Sequence, residues 1–272
     1  MIFFPTTNDD VSQFLRSRSK APLHISGIGD GHNNEETISL SKLNSVLFYE
    51  PEEMIISVQS GILLDDLQKT LAAKGQWIPT LPASELVEQT LGAAVAIDHF
   101  HPRTLNCGAL RTTILGGTFS TTSGEIFKSG SRVVKSVAGY DIHRAFCGSR
   151  GRFGIILDLT LKVQPLPEIF YRFFAPIEAR ERLLQFHPSC FEEFEEKLLV
   201  EFSGYKEDLT YDIEQLKSLG ITTKELDEKN WSDAAKKLIQ IRDERRKEAP
   251  SEVEKLLNQV RSVFDPEELL FP

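Results

Sequence analysis

Gly148-Ser149-Arg150-Gly151-Arg152-Phe153-Gly154 runs straight into the apolar Ile155-Ile156-Leu157. Three glycines in seven residues let a backbone turn tightly and bring its N–H groups close to a ligand, because no Cβ stands in the way. The apolar run reads as a buried strand over Ile155–Val163. Between Ile126 and Leu157 lie six basic residues (Lys128, Arg132, Lys135, Arg144, Arg150, Arg152) and one acid, Asp141. The whole chain is acidic, with 31 Lys and Arg against 40 Asp and Glu in 272 residues. A bound pyrophosphate accounts for such a basic zone, since charge-assisted hydrogen bonds to phosphate are the stronger kind. A solvated basic face accounts for it equally well.

Two earlier segments have the same character. Ser26-Gly27-Ile28-Gly29-Asp30-Gly31 follows the short strand Leu23–Ser26, and its glycines suit either a phosphate-approaching loop or a plain turn. It lacks the G-x-G-x-x-G spacing of a nicotinamide-type loop. Thr90-Leu91-Gly92-Ala93-Ala94-Val95-Ala96 is a run of small residues that permits close approach, or simply a tight helix start against the core.

Outward from these loops, the first part of the chain mixes elements. Asn8–Arg18 reads as a capped amphipathic helix, Ile55–Ser60 as a strand, and Leu64–Lys74 as a helix stopped by Gly75. Thr112–Ser120 and Glu125–Lys128 resemble a hairpin. Helices, strands and hairpins interleaved in this way favour an α+β fold over a doubly wound parallel sheet.

Residues 1–168 carry 15 basic and 17 acidic residues, whereas 169–272 carry 16 and 23. The prolines of Gln164-Pro165-Leu166-Pro167 make a stiff, strand-ending connector at that boundary. Beyond it a strand at Lys197–Phe202, a helix at Lys206–Leu219, a strand at Thr222–Leu226 and a helix at Asp233–Lys247 form one β-α-β-α unit. Ser251, with Glu254 three residues on, caps a last helix through Phe264. The expected division is 1–168, 169–250 and 251–272.

The net charge of −9 argues against general affinity for nucleic acid or anionic membrane. No run approaches the ~20 apolar residues of a membrane span, and the opening MIFFPTTNDD has no targeting character, so the expected location is cytoplasmic. Cys107, Cys190 and Cys147 lie far apart, which suits neither a disulfide framework nor a C-x-x-C metal motif. Asp98–Arg103, with His99 and His101, reads as a surface turn rather than a metal or proton-transfer pair. No metal site is expected.

Taken as a set, the motifs resemble a family. Val133-Val134-Lys135-Ser136-Val137-Ala138-Gly139-Tyr140-Asp141-Ile142 followed by Gly148-Ser149-x-Gly151-x-x-Gly154-Ile155-Ile156 is similar to the signature of FAD-linked oxidases of the vanillyl-alcohol oxidase/p-cresol methylhydroxylase type. Within it the nearest likeness is to an FAD-binding subunit of bacterial glycolate oxidases. Tyr49-Glu50-Pro51-Glu52-Glu53, Val58-Gln59-Ser60-Gly61, Thr90-Leu91-Gly92, Cys107-Gly108-Ala109-Leu110-Arg111 and the closing Phe264–Pro272 fall in the family's order.

The resemblance implies a p-cresol methylhydroxylase-type FAD-binding domain of two α/β subdomains, a reduced α/β cap over 169–250, and a C-terminal helix and tail returning to the flavin domain. It implies noncovalent FAD held by Ser26, Gly27, Ile28, Gly29, Asp30 and Gly31, by Thr90, Leu91, Gly92 and Ala93, by Gly108, and by Gly148, Ser149, Gly151, Gly154 and Ile155. It implies an FAD-dependent oxidoreductase acting as part of a glycolate or 2-hydroxyacid dehydrogenase, working with a second flavin subunit and an iron–sulfur subunit, and peripheral to the inner membrane through them. A non-catalytic scaffold subunit with the same fold is the alternative. Asp30, Ala93, Arg150, Arg152 and Asp98-His99-Phe100-His101 depart from the family pattern, each adding bulk or charge near the expected site. No catalytic acid or base is nominated.

Overall fold

The computed structural model describes residues 1–18, 21–28, 36–81, 89–130, 141–221, 223–246, 251–265 and 270. The chain forms two compact units: Met1–His99, Leu110–Gln164 and Glu248–Pro272 make the first, Phe100–Ala109 and Pro165–Lys247 the second. The second unit thus takes in a ten-residue excursion, Phe100–Ala109, from a stretch that sequence places in the first domain.

Two larger sheets build the described part of the first unit. Ile2–Phe3, Glu36–Ser39 and Leu23–Ser26 lie side by side and parallel, with Ile2 opposite Thr37 and Leu23 opposite Glu36. The helix Asn8–Ser17 covers them. Thr7 and Asp10 close a capping box at its start, satisfying two N–H groups that a helix end leaves orphaned. Val11, Phe14 and Leu15 pack with Leu23, Ile38, Leu40 and Leu43, and Phe3 stacks on Phe14 at 4.5 Å.

The other sheet is antiparallel, in the order Val46–Glu50, Ile55–Gln59, Ile155–Lys162, Ile114–Ser120, Ile126–Gly130. Ile155–Lys162 is its middle strand and is buried along nearly its whole length. Ile155 and Leu157 join the core of the parallel sheet, while Ile156, Leu159 and Leu161 join a larger core. That core takes Leu64, Leu67 and Leu71 from the helix Leu64–Ala72 and Leu91, Ala94 and Val95 from the helix Leu91–Ile97. A near-continuous apolar strand is what a two-sided burial requires.

The second unit is a four-stranded antiparallel sheet in the order Cys190–Phe194, Lys197–Gly204, Ile169–Pro176, Lys224–Glu225. One face packs Phe173, Leu198, Val200 and Phe202 on Leu183, Leu209 and Leu216. The other packs Cys190, Phe194 and Leu199 on Trp231, Ala234 and Leu238 of the helix Glu228–Arg246. This sheet corrects the single β-α-β-α unit read from sequence. The strand Ile169–Pro176 starts two residues after Pro167, so the prolines end one strand without stopping the next from forming at once. Among the described residues no helix is long and apolar enough to cross a membrane.

Candidate functional site

Segments separated by more than fifty residues meet in the first unit. Gly27 directly follows the strand Leu23–Ser26, and a Cβ built on it would collide with Thr90 Oγ1. Thr90 is the N-cap of the helix Leu91–Ile97, its hydroxyl accepting from Ala93 N at 3.4 Å. The start of that helix is tied to a neighbouring turn: Leu91 N donates to Ile62 O at 2.9 Å and Gly92 N to Ser60 O at 2.8 Å. A Cβ on Gly92 would lie 2.9 Å from Ser60 Cβ, so only glycine fits there.

The other end of the same helix receives the third glycine segment. Gly148 N donates to Val95 O at 3.0 Å and Arg150 N to Ala96 O at 2.7 Å. Gly148 and Gly151 hold φ of 79° and 78°, and Arg150 between them also has a positive φ, 53°. A Cβ on Gly151 would come within 3.8 Å of Ile25 Cδ1, returning the loop to the first segment. Ser149 is buried, its hydroxyl accepting from Gly151 N at 3.3 Å. Gly154, at φ 129°, would drive a Cβ into Ser120 O.

The structure therefore brings Gly27 and Ile28 to Thr90 at the start of the helix Leu91–Ile97 and Gly148–Gly151 to its other end, while Gly154 packs on Ser120 and Ile155 enters the core beneath the parallel sheet. Within this set Leu91 and Ile155 are core side chains that can offer only backbone to a ligand. Gly29, Asp30 and Gly31 lie outside the described residues, as do His32, Lys135 and Tyr140. Gly108 belongs to the second unit, where it caps the short helix Thr104–Cys107 at φ 80°.

Beside the wall is a half-open cavity of about 420 Å³, lined by Gly27, Ile28, Ser41, Asn44, Gly61 and Thr90 among others. Ser60 Oγ, in a residue only 1% exposed, has no hydrogen-bond partner among the described residues. Sequence placed Ser60 in a family motif without giving it a role; its burial depends on contact with Gly92, thirty-two positions away. Asp98, 9% exposed and at φ 51°, ends the helix Leu91–Ile97 and meets Arg111 at 3.3 Å. Arg150 is exposed and Arg152 half-buried.

The expected surface turn at Asp98–Arg103 is instead largely buried. In the second unit Arg103 forks onto Glu201, Nε to Oε1 at 2.6 Å and Nη2 to Oε2 at 2.7 Å, and Arg172 Nε adds a third bond at 2.7 Å. Glu201 is fully buried; burial alone raises its carboxyl, but the two guanidiniums outweigh that and hold it below the usual range. His101 is pushed well below its ordinary value by burial and by Arg103, and its Nδ1 accepts from Arg103 N at 3.1 Å. Burial raises the thiols of Cys190 and Cys107, so neither is a ready nucleophile. All three cysteines are free, and no metal-ligating cluster occurs among the described residues.

A flavin nucleotide fits the first wall on one observation: the buried Ser60 hydroxyl has no hydrogen-bond partner among the described residues, next to Gly61, which lines the half-open cavity with Gly27, Ile28 and Thr90. Comparison with known proteins agrees. Residues 1–130 match a family model described as an FAD binding domain. The chain is 34% identical over 154 residues to a D-lactate dehydrogenase of Anaerostipes hadrus, covering 57% of this chain and 32% of that protein. It is 32% identical over 132 residues to glycolate oxidase subunit GlcE of Escherichia coli, covering 48% and 38%. Glycolate oxidase subunit GlcD of Bacillus subtilis is 27% identical over 176 residues, covering 61% and 37%. The chain thus spans about a third of the length of the curated relatives it matches. Two structures of alkyldihydroxyacetonephosphate synthase share the fold, with TM-scores of 0.70 and 0.66; they are 16% and 17% identical and cover 98% and 89% of this chain, and 75% and 55% of theirs. The architecture is α+β, of the p-cresol methylhydroxylase-type fold, and residues 1–130 are similar to an FAD binding domain.

Proposed function

We propose that this chain, an FAD-binding protein of the p-cresol methylhydroxylase-type fold, is one subunit of a cytoplasmic 2-hydroxyacid dehydrogenase, oxidising glycolate, lactate or a close relative. Convergence of the three glycine segments on one wall is the observation that carries it: Gly27 against Thr90, Gly92 against Ser60, and Gly148 and Arg150 on the end of the same helix. Ser26–Gly31, Thr90–Ala93 and Gly148–Ile155 would hold noncovalent FAD there, and the bound flavin would supply two-electron redox chemistry toward the hydroxyacid.

The chain's own residues have three tasks in this reading. Close packing of Gly27 on Thr90 and of Gly92 on Ser60 shapes the wall that would take the cofactor, the loop Gly148–Gly151 is tied to the end of the helix Leu91–Ile97, and the core beneath supports both. Residues 169–250 act as a reduced cap and 251–272 close the flavin domain. The four-stranded second unit is little material to enclose a substrate and keep water from a reduced flavin. A second flavin subunit and an iron–sulfur subunit complete the site and receive the electrons, and through them the assembly sits at the inner membrane.

The test compares turnover of glycolate and D-lactate with an artificial electron acceptor, by the isolated chain and by the same chain co-purified with its partners. Slow turnover alone and gain on assembly support the reading. Turnover by the lone chain on the order of 10 per second contradicts the need for partners. An assembly that keeps full activity when this chain carries Gly27→Ala and has lost its FAD makes the chain a scaffold.

A further inference from the structure

The helix Ser251–Phe264 and Leu270 belong to the first unit, as do all three glycine segments. Phe264, the last residue of that helix, lies between two rings that bracket the third segment. Its centroid is 5.9 Å from that of Phe146 and 5.9 Å from that of Phe153, within the range of a favourable aromatic pair. Those two residues stand where the loop starts and ends: Ser149 N donates to Phe146 O at 3.2 Å, and Phe153 directly precedes Gly154.

Leu270 meets the first segment. The strand Leu23–Ser26 runs directly into Gly27 and lies at the edge of a sheet whose strands are two to four residues long. Strands so short make few ladder bonds, and an edge strand makes them on one side only. Leu270 pairs in parallel with Leu23 on the side away from Glu36–Ser39, and it is fully buried with Leu23 and Ile38. The two bracketed segments also touch each other, since a Cβ on Gly151 would come within 3.8 Å of Ile25 Cδ1.

One carboxylate joins these contacts. Asp265 directly follows Phe264 and is fully buried, its N–H donating to Arg261 O at 2.7 Å. Its Oδ2 accepts from Leu270 N at 2.9 Å and from Arg261 Nη2 at 3.3 Å, and the same Arg261 Nη2 donates to Leu270 O. Both backbone groups of Leu270 are thus tied to the last turn of the helix through a charged pair. We infer that Asp265 is a positioning residue for the flavin wall: it fixes Leu270 relative to Phe264, so that one clasp holds both the strand before Gly27 and the loop Gly148–Gly154. The effect on cofactor binding rests on the function proposed above; the effect on strand and loop does not. Removing either member of a buried charged pair leaves the other uncompensated, so the clasp depends on Asp265 and Arg261 together.

The test uses the full chain with Asp265→Ala, which releases Leu270, and with Asp265→Asn, which keeps an oxygen for Leu270 N and loses the charge. Hydrogen exchange is followed at the amides of Leu23–Ser26 and at Gly148 and Arg150, against Ile55–Gln59 as an internal reference, and FAD affinity and the visible circular dichroism of bound flavin are read alongside. Expected for Asp265→Ala is about tenfold faster exchange at strand and loop with the reference unchanged, and about tenfold weaker FAD; Asp265→Asn is expected to fall between it and the wild type. In a folded Asp265→Ala chain, strand or loop exchange that stays at the wild-type rate overturns the inference, and so does unchanged FAD affinity. Should both variants fail to fold, Leu270→Val trims the same contact and is held to the same result in smaller measure; no change there overturns the inference too. Wild-type chain that takes up no FAD defeats the proposed function, while exchange at the strand and loop still decides the role of Asp265.

Discussion

Arg150 occupies a left-handed backbone position between two glycines that hold the same conformation. An L-residue with a side chain is strained there by about 1–2 kcal/mol, and glycine is not, although glycine also loses more freedom on folding. Arg150→Gly is therefore expected to raise stability by up to about 1 kcal/mol, seen as a higher unfolding midpoint. The same variant separates two roles. If the guanidinium meets the cofactor's phosphates, FAD binding weakens by about 1.5–3 kcal/mol while the fold gains. Unchanged affinity assigns the arginine to solvent or to a partner and leaves the phosphates to backbone amides. Gly27→Ala belongs at this scale too: its Cβ runs into Thr90 Oγ1, so FAD binding is expected to fall about tenfold or more, read by titration, with Thr90→Ala, which removes that oxygen, restoring part of it.

Among the elements, the hairpin between Cys190–Phe194 and Lys197–Gly204 carries an improvable turn. Phe194 pairs with Lys197, leaving Glu195 and Glu196 as a two-residue loop with φ of 48° and 61°. Two positive φ values call for Asn-Gly. Glu195→Asn with Glu196→Gly is expected to stabilise by about 1 kcal/mol, a rise of ~2–4 °C in Tm, the lost surface pair with Lys237 costing little. No rise would mean that the turn opens in solution.

The second unit also predicts its own pH response. Buried His101 titrates well below 6.5 when folded, so the unfolded chain binds the extra proton first. The stability it contributes is present above pH ~6.5 and is lost as pH falls toward the folded value. Glu201, held below 4.5 when folded, contributes stability that is lost only at lower pH still. The melting midpoint followed by Trp231 emission in a Trp77→Phe background should fall between pH 7 and 5, and His101→Gln should flatten that fall. A wild-type midpoint constant over that range contradicts the burial of a neutral His101.

What was legible at this scale follows from how local the cause is. The helix Asn8–Ser17 announces itself by Thr7, Asp10 and its apolar stripe, and Ile155–Lys162 by Ile155-Ile156-Leu157 followed by Leu159 and Leu161. Asp98–Arg103 reads as surface because it is polar, and its burial comes from Glu201, 98 positions beyond Arg103. The strands Ile169–Pro176 and Cys190–Phe194 hide behind prolines and glutamates, and pairing across the sheet is what makes them strands. In the site, glycines mark which segments approach a ligand, but nothing in their spacing tells that Arg150 N meets Ala96 O.

Over the whole molecule one claim supports the rest: residues gathered from three distant segments form a working, noncovalent FAD site in a chain that spans about a third of the length of its relatives. In the proposed function the four-stranded second unit serves turnover and partners, while the first unit's wall holds the cofactor. Direct titration of the isolated chain with FAD, followed by absorbance and by recovery of the flavin after denaturation, tests this claim most closely. Saturable binding at or below tens of micromolar, at least about 6 kcal/mol, is predicted, with the flavin released intact. A folded chain that takes up no FAD at that concentration would contradict it.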